Sequence, residues 1–155
     1  MNKYEKLLTK AERENLCIIE KEFKSRAKGL IKNKKIGIRK DISTTAEKAC
    51  VLAEELGHYF TSTGDIIDQI TAVNRKQEKR ARNWAYEKLL PLSSFIKAYE
   101  AGVRNRYELA QFFDITEEFL SESLAHYQEK YGICTCYNEK YIIYFDPLGV
   151  YKIFE

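Results

Sequence analysis

The fold of this chain is decided by the sequence LAEELGHY at residues 52–59. On a helix of about 100° per residue, the apolar side chains of this segment fall on one stripe, which predicts a buried face. The members of that stripe are Ala49, Leu52, Ala53, Leu56 and Phe60. Glu54 and His58 lie one turn apart on the opposite side, and Glu55 flanks them. The segment therefore predicts a helix that packs on one side and displays two carboxylates and an imidazole on the other.

These three polar side chains have the spacing of a metal-binding helix. Side chains at positions i and i+4 are about 5–6 Å apart at Cβ, so Glu54 and His58 can chelate one ion. In the H-E-x-x-H pattern of zinc peptidases, Glu54 would stand at the first histidine, Glu55 at the general base and His58 at the second histidine. Zinc also accepts carboxylate oxygen. The same Glu-Glu-x-x-His pattern also occurs on solvated helices.

The ends of this helix are marked by polar residues and glycine. Thr44 precedes Glu47 by three residues, which is the spacing of a capping box and predicts a helix from 45 to about 61. The pair Gly64-Asp65 predicts the exit from the helix.

Upstream of this helix, the sequence predicts another helix and a small antiparallel sheet. Apolar residues recur at helical spacing over residues 2–14, and the β-branched run at 16–19 predicts a strand. Apolar segments at 29–31 and 36–38 flank Asn33-Lys34, and this arrangement predicts a β-hairpin. We expect the sheet to cover the helix that carries the LAEELGHY sequence.

A second long helix is predicted for residues 75–89, because Pro91 stops it. Glu78 recurs at helical spacing with the apolar residues Ala81, Ala85 and Leu89. A carboxylate on an apolar stripe needs a cation, a hydrogen-bond donor or a metal as its partner, unless the stripe ends in water at the first turn. The basic residues of the same helix predict a solvated face: Arg75, Lys76, Lys79, Arg80 and Arg82.

Beyond Pro91, the sequence predicts a C-terminal appendage of helices and strands. Helices are expected at about 93–100, 105–113 and 116–130, and strands at 133–137, 141–145 and 150–154. We expect His126 to be a surface or core residue of the last helix rather than a metal ligand. Cys134 and Cys136 alternate within a strand and lack the second cysteine pair that a zinc ribbon needs.

The composition limits the class of protein. The chain has 155 residues, of which 45% are hydrophobic and 13% aromatic, and this content excludes disorder. A net charge of +3 does not by itself argue for nucleic-acid binding. No apolar run approaches the roughly 20 residues that a membrane span needs, and the N-terminal residues lead into no signal-type apolar core. We therefore expect a soluble protein of the cytoplasm, with no membrane partner.

Taken together, the two helices resemble the ImmA/IrrE family of metallo-endopeptidases, in the version carried by bacteriophages and integrative elements of bacteria. The resemblance is carried by the sequence AEELGH at 53–58 and by the pattern E-x-x-A-x-x-W-A-x-x-x-L-L-P at 78–91. The two patterns are separated by twenty residues, counted from His58 to Glu78. The similarity covers residues 1–92 and extends more loosely to 131.

The resemblance implies a role for each residue of the two patterns. His58 and Glu78 would be zinc ligands, and Glu55 would be the catalytic base. Glu54 takes the position of the first ligand, where the family has histidine. A Glu-His-Glu set is oxygen-rich, so it binds Zn²⁺ less selectively and accepts Mn²⁺ or another divalent ion. Arg82 stands where gluzincin-like helices often have an acid, so the residues around the ligands also depart from the pattern.

The resemblance also implies a fold, which is an α+β zincin-like metallopeptidase domain with a small antiparallel sheet and an active-site helix. We expect the peptidase core at residues 1–92 and a helical and β-hairpin appendage at 93–155, packed as one globular unit. The strand near 36–39 is expected to be exposed and to receive the substrate as an added strand, through Ile36 and Ile38.

The implied function is the cleavage of a helix-turn-helix repressor of a phage or mobile element, which would relieve repression in the bacterial host. Glu55 would take a proton from a metal-activated water and pass it to the leaving amine. As an alternative, the same cleft would bind the repressor without cleaving it, as an antirepressor. A further alternative is a DNA-binding protein that uses residues 105–131, which resemble a helix-turn-helix. This alternative is the least favoured, because the acids Glu117 and Glu118 would repel phosphates.

Overall fold

The helix with the LAEELGHY sequence begins and ends where the sequence predicts. In the computed structural model, which describes residues 1–62 and 71–153, this helix spans Thr45–Thr61. Thr44 Oγ1 accepts a hydrogen bond of 3.1 Å from the backbone N–H of Glu47, so the predicted cap is present. The predicted exit at Gly64-Asp65 lies outside the described residues.

The chain divides into two units, residues 1–85 and 86–155. The first contains α1 (Lys3–Arg13), β1 (Cys17–Lys21), β2 (Gly29–Lys32), β3 (Lys35–Arg39), α2 (Thr45–Thr61) and most of α3 (Thr71–Leu89). The second contains the end of α3 with α4 (Leu92–Glu100), α5 (Arg106–Phe113), α6 (Glu117–Tyr131), β4 (Cys134–Tyr137), β5 (Tyr141–Phe145) and β6 (Leu148–Lys152). This combination of helices with small separate sheets confirms the predicted α+β class. The division into domains at 1–92 and 93–155 stays a prediction.

Helix α3 begins earlier than the sequence predicts, at Thr71 rather than at 75. Neither glycine nor proline lies between these positions, so nothing in the chain prevents the helix from extending backward. The helix ends at Leu89, before Pro91, as predicted.

The first sheet has the strand order β1-β3-β2. Strands β2 and β3 form the predicted antiparallel hairpin, and Asn33 in its turn has a φ of 57°. Strand β1 departs from the antiparallel prediction, because it pairs in parallel with β3. The hairpin folds back so that its second strand, rather than its first, lies beside β1. The sheet is therefore mixed, and β3 is its central strand.

The prediction that the strand near 36–39 is exposed is wrong. Strand β3 has a neighbour on each side, and Ile36 and Ile38 are both 0% exposed. The alternation Ile36-Gly37-Ile38 places both isoleucines on the face that packs against α2, so they are core residues. An added strand can pair only with an edge strand, and in this sheet the edges are β1 and β2.

The second unit follows the sequence prediction closely. Helix α5 is capped by Asn105 and α6 by Thr116, each through a side-chain oxygen that accepts a backbone N–H. Helix α4 begins at Leu92, directly after Pro91, which caps it without a side-chain hydrogen bond. Strands β4, β5 and β6 form an antiparallel sheet in that order.

His126 is a core residue of the second unit, as the sequence predicts. Its side chain is 8% exposed, and its Nε2 lies 2.9 Å from Glu87 Oε2. Lys130 donates hydrogen bonds of 2.9 and 3.1 Å to the same carboxylate. A buried imidazole with a carboxylate partner is fully accounted for by this packing.

Neither a disulfide nor a membrane-spanning helix occurs in the parts of the chain that the structure describes. The four cysteines, all of which lie in those parts, form no disulfide. Within 1–62 and 71–153, no helix combines the length and the apolar character that crossing a membrane requires.

Candidate metal centre

Helix α2 has the two faces that its sequence predicts. Its buried residues are Ala49, Cys50, Leu52, Ala53, Leu56 and Gly57. Glu54, Glu55 and His58 are only partly buried and lie on the side away from this stripe. Packing of the apolar stripe therefore fixes the rotation of α2, aims Glu54 and His58 at the surface of the first unit, and leaves Glu55 beside Gly29 of β2.

Gly57 brings α2 and α3 into direct backbone contact. A Cβ at Gly57 would lie 2.9 Å from the carbonyl carbon of Ala81 and 3.0 Å from its Cα, and closer still to its carbonyl oxygen. Ala81 is itself 0% exposed. The two helices can approach this closely only because position 57 has no side chain. A second contact is the stacking of Phe60 on Trp84, whose ring centroids are 5.1 Å apart.

This helix contact brings Glu78 to Glu54 and His58. One ligand atom from each of the three side chains lies within 4.8 Å of those of the other two. His58 Nε2 and Glu78 Oε1 are 3.1 Å apart. Glu78 is 46% exposed, so it is the open side of the cluster, whereas His58 is 19% exposed. The structure thus unites the three side chains that the sequence analysis selected from two separate helices.

The donor set and its spacing fit one divalent cation. Three donors at about 2.0–2.2 Å from a common ion lie about 3.4 Å from one another in tetrahedral geometry. The observed separations of up to 4.8 Å need only rotamer adjustments to reach this value. Two carboxylates and an imidazole suit zinc, and they suit manganese as well. Glu54, His58 and Glu78 are therefore the residues of the described chain that could hold a metal.

Arg82 joins the two carboxylates of the cluster, which the sequence analysis did not foresee. Its Nε donates to Glu54 Oε1 at 3.2 Å, and its Nη2 lies 3.8 Å from Glu78 Oε2. The basic residues of α3 predict a solvated face for Arg82. Its position four residues after Glu78 was the available signal, because side chains at i and i+4 meet on a helix. The guanidinium offsets part of the repulsion between the two carboxylates.

Glu55 lies beside the cluster in a more buried position. Burial, followed by the neighbouring charges of Glu54 and Glu78, raises the pKa of the Glu55 carboxyl from its ordinary value of 4.5 to about 8. A carboxylate with a raised pKa is a stronger base than one in water. Glu55 can therefore exchange a proton with a group that occupies the space next to the three candidate ligands.

Comparison with known proteins gave one family match. The family model Peptidase_M78, described as the IrrE N-terminal-like domain, matches residues 11–125. The matched segment is more than half of the chain and includes the LAEELGHY helix and Glu78. Neither the curated proteins nor the solved structures include a match to this chain.

The close approach at Gly57 predicts that Gly57→Ala disrupts both stability and the cluster. Alanine has a better helix propensity by about 1 kcal/mol, but its Cβ would collide with the backbone of Ala81. Overpacking of this kind typically costs about 1–3 kcal/mol, so we expect a net loss in the free energy of unfolding. Urea unfolding measures this loss, and a zinc titration should show weaker binding. A variant as stable as the wild type, with unchanged zinc affinity, would contradict the proposed contact.

The raised pKa of Glu55 predicts a pH dependence of stability in the metal-free protein. Between pH 4.5 and about 8, the folded protein holds a proton that the unfolded chain releases. The free energy of unfolding should therefore fall as the pH rises through this range. Glu55→Gln removes the titrating group, so at pH 8 it should be more stable than the wild type by on the order of 2–4 kcal/mol.

Urea unfolding at several pH values, with a chelator present, measures this difference. The advantage of the glutamine variant should shrink as the pH is lowered toward 5, because the free energy of unfolding of the wild type rises as the pH falls below the folded-state pKa of about 8. A constant difference between the two proteins from pH 5 to pH 8 would show that Glu55 does not titrate in this range.

Proposed function

Because the chain belongs to the family of the IrrE N-terminal-like peptidases, its function is of the metallopeptidase type, and we propose that it is an endopeptidase that cleaves a helix-turn-helix repressor of a phage or mobile element. The observation that carries the proposal is the meeting of Glu54, His58 and Glu78, with Glu55 beside them. The resemblance to the ImmA/IrrE pattern implies the same positions, with Glu54 where the family has histidine. The proposed place of action is the cytoplasm of the bacterial host.

The proposed mechanism assigns one task to each side chain. Glu54, His58 and Glu78 would hold a divalent metal, for which we propose Zn²⁺, with Mn²⁺ as an acceptable substitute. The bound metal supplies Lewis acidity, which lowers the pKa of water and polarises a peptide carbonyl. Glu55 accepts a proton from the attacking water and delivers it to the nitrogen of the leaving amine as the C–N bond breaks.

Strand β2 is the proposed site for the substrate backbone. It is an edge strand, and it packs on α2, which carries Glu55. An extended peptide that pairs with an edge strand gains main-chain hydrogen bonds without a sequence requirement. Leu30 is 55% exposed on this strand and offers an apolar contact to a substrate side chain. Ile36 and Ile38, which are 0% exposed on the central strand, do not take this role.

The rival proposal is a module that binds the repressor through the same cleft without cleaving it. The two proposals differ in what happens to the repressor. Co-expression of the chain with a candidate helix-turn-helix repressor of a phage or mobile element should yield repressor fragments if the chain is a peptidase. An intact repressor that co-purifies with the chain, in the presence of zinc, would support the binding module instead.

Glu55→Gln should abolish cleavage while leaving the metal site intact. General-base help is worth about 10²–10⁴-fold, so the rate of repressor cleavage should fall by that factor. Zinc affinity should be preserved, because Glu55 is not among the three proposed ligands. The matched control is Glu12→Gln, the same chemical change at an exposed position of α1, which should cleave at the wild-type rate. Undiminished cleavage by Glu55→Gln would remove Glu55 from the mechanism.

Glu54→His should increase the preference for zinc over manganese. Imidazole is a softer ligand than carboxylate and suits zinc better, whereas manganese favours oxygen. Glu54→Ala should lower the affinity for both ions, because it leaves only two protein ligands. Competition titrations of the three proteins with zinc and manganese measure these affinities. If neither substitution changes affinity or stoichiometry, Glu54 is not a ligand, and its contact with Arg82 is structural.

A further inference from the structure

Gly29 of β2 lies directly against two side chains of α2 that are one helical turn apart. An ideal Cβ at Gly29 would lie 2.8 Å from Val51 Cγ1 and 3.0 Å from both Cγ and Oε1 of Glu55. Carbon atoms in optimal contact are about 3.5–4.0 Å apart, so no side chain fits at this position. The backbone of β2 therefore borders the Glu55 carboxylate without an intervening side chain.

Glycine is needed at position 29 for space and not for backbone conformation. The glycines with positive φ in the described residues are Gly102 and Gly132, so Gly29 has a backbone that any L-amino acid can adopt. Gly29 is paired with Ile38, which is 0% exposed at the centre of the sheet. Strand β2 cannot move away from α2 to make room for a side chain without also displacing Ile38, which is buried.

A second contact fixes this end of β2 on α2. Lys28, the residue before Gly29, forms an ion pair of 2.7 Å with Glu47. The carbonyl of Lys28 also accepts a hydrogen bond of 2.8 Å from the backbone N–H of Arg39. Positions 47, 51 and 55 follow one another along one side of α2. The strand thus runs along this side of the helix and reaches Glu55 at Gly29.

We propose that Gly29 is a positioning residue for the catalytic base, Glu55. This inference rests on the proposed function and extends it to the strand that borders the base. Because Gly29 has no side chain, the Glu55 carboxylate can occupy the space between β2 and the ligand cluster. Strand β2 is also the proposed binding site for the substrate backbone. The same strand would therefore position both the Glu55 carboxylate and the peptide bond that Glu55 helps to cleave.

A methyl group at position 29 would act mainly on Glu55. Val51 is branched at Cβ and is therefore stiff on its helix. The carboxylate of Glu55 lies at the end of a flexible side chain, so it can move away from the added methyl group. We expect Gly29→Ala to rotate it out of its place, and a displacement of about 1 Å in a catalytic group can cost about 10²-fold in rate.

The first test compares Gly29→Ala with Gly37→Ala, with zinc as the metal and, as substrate, the helix-turn-helix repressor that the wild type cleaves on co-expression. Gly37 lies on β3 of the same sheet, and its Cβ would meet Phe23 at an acceptable 3.4 Å. Gly29→Ala should lower kcat by about 10–100-fold, with KM and zinc affinity close to those of the wild type. Gly37→Ala should retain wild-type kcat. Wild-type kcat in Gly29→Ala, or a collapse of its zinc affinity, would overturn the proposal.

The second test asks whether Gly29 acts through Glu55. Aspartate is shorter by one methylene, so Glu55→Asp withdraws the carboxylate from the space that the added methyl group at position 29 would fill. Adding Gly29→Ala to Glu55→Asp should then cause little further loss of kcat, because residues that act through one contact are not additive. An equal loss in both backgrounds would show that Gly29→Ala acts elsewhere, and would overturn the proposal.

A structural readout separates this proposal from the proposed function. A crystal structure of metal-free Gly29→Ala should show the Glu55 carboxylate displaced, with Glu54, His58 and Glu78 in place. An unmoved carboxylate would overturn the proposal even if the wild type is an active peptidase. If the wild type cleaves nothing, the proposed function fails, and this structure still decides whether Gly29 positions Glu55. Should Gly29→Ala not fold, the variant Gly29→Ala/Val51→Ala removes the second collision and is used in its place.

Discussion

The candidate site depends on one contact, the approach of α3 to α2 at Gly57. A side chain at this position would overlap the backbone of Ala81, so the absence of a Cβ sets the distance between the helices. Glu54 and His58 supply two donors from one helix, and two donors alone do not hold a catalytic metal. The third, Glu78, lies on α3 one turn before Ala81. The position of Glu78 relative to Glu54 and His58 thus depends on the absence of a side chain at Gly57.

Charge is distributed unevenly within the cluster, and this distribution suits its proposed chemistry. Glu54 and Glu78 have Arg82 as a shared cationic neighbour, which offsets their repulsion. The surroundings of Glu55 instead disfavour its charged form, because burial and the two neighbouring carboxylates raise its pKa to about 8. The two carboxylates beside the guanidinium are placed as candidate ligands, whereas the buried one, with its raised pKa, is suited to move a proton. Environment, not residue type, separates these two roles.

The first sheet shows where prediction from sequence failed and why. The alternation of Ile36, Gly37 and Ile38 correctly indicates a strand with one buried face. It contains no information about which strands become its neighbours. The structure inserts β3 between β1 and β2, so the strand expected to bind substrate is the centre of the sheet. Strand order is a property of the folded chain, because it depends on contacts between segments that are distant in sequence.

The sequence by itself determined the local features of this protein: the cap at Thr44, the stripe of α2, the helix stop before Pro91 and the face that carries Glu54, Glu55 and His58. Each follows from residues within a few positions of one another, where periodicity and backbone preference decide. Only the tertiary structure decided that Glu78 reaches His58, that Arg82 bridges two carboxylates and that Gly29 borders Glu55. These contacts join separate elements, and their distances are set by how closely two backbones can pack.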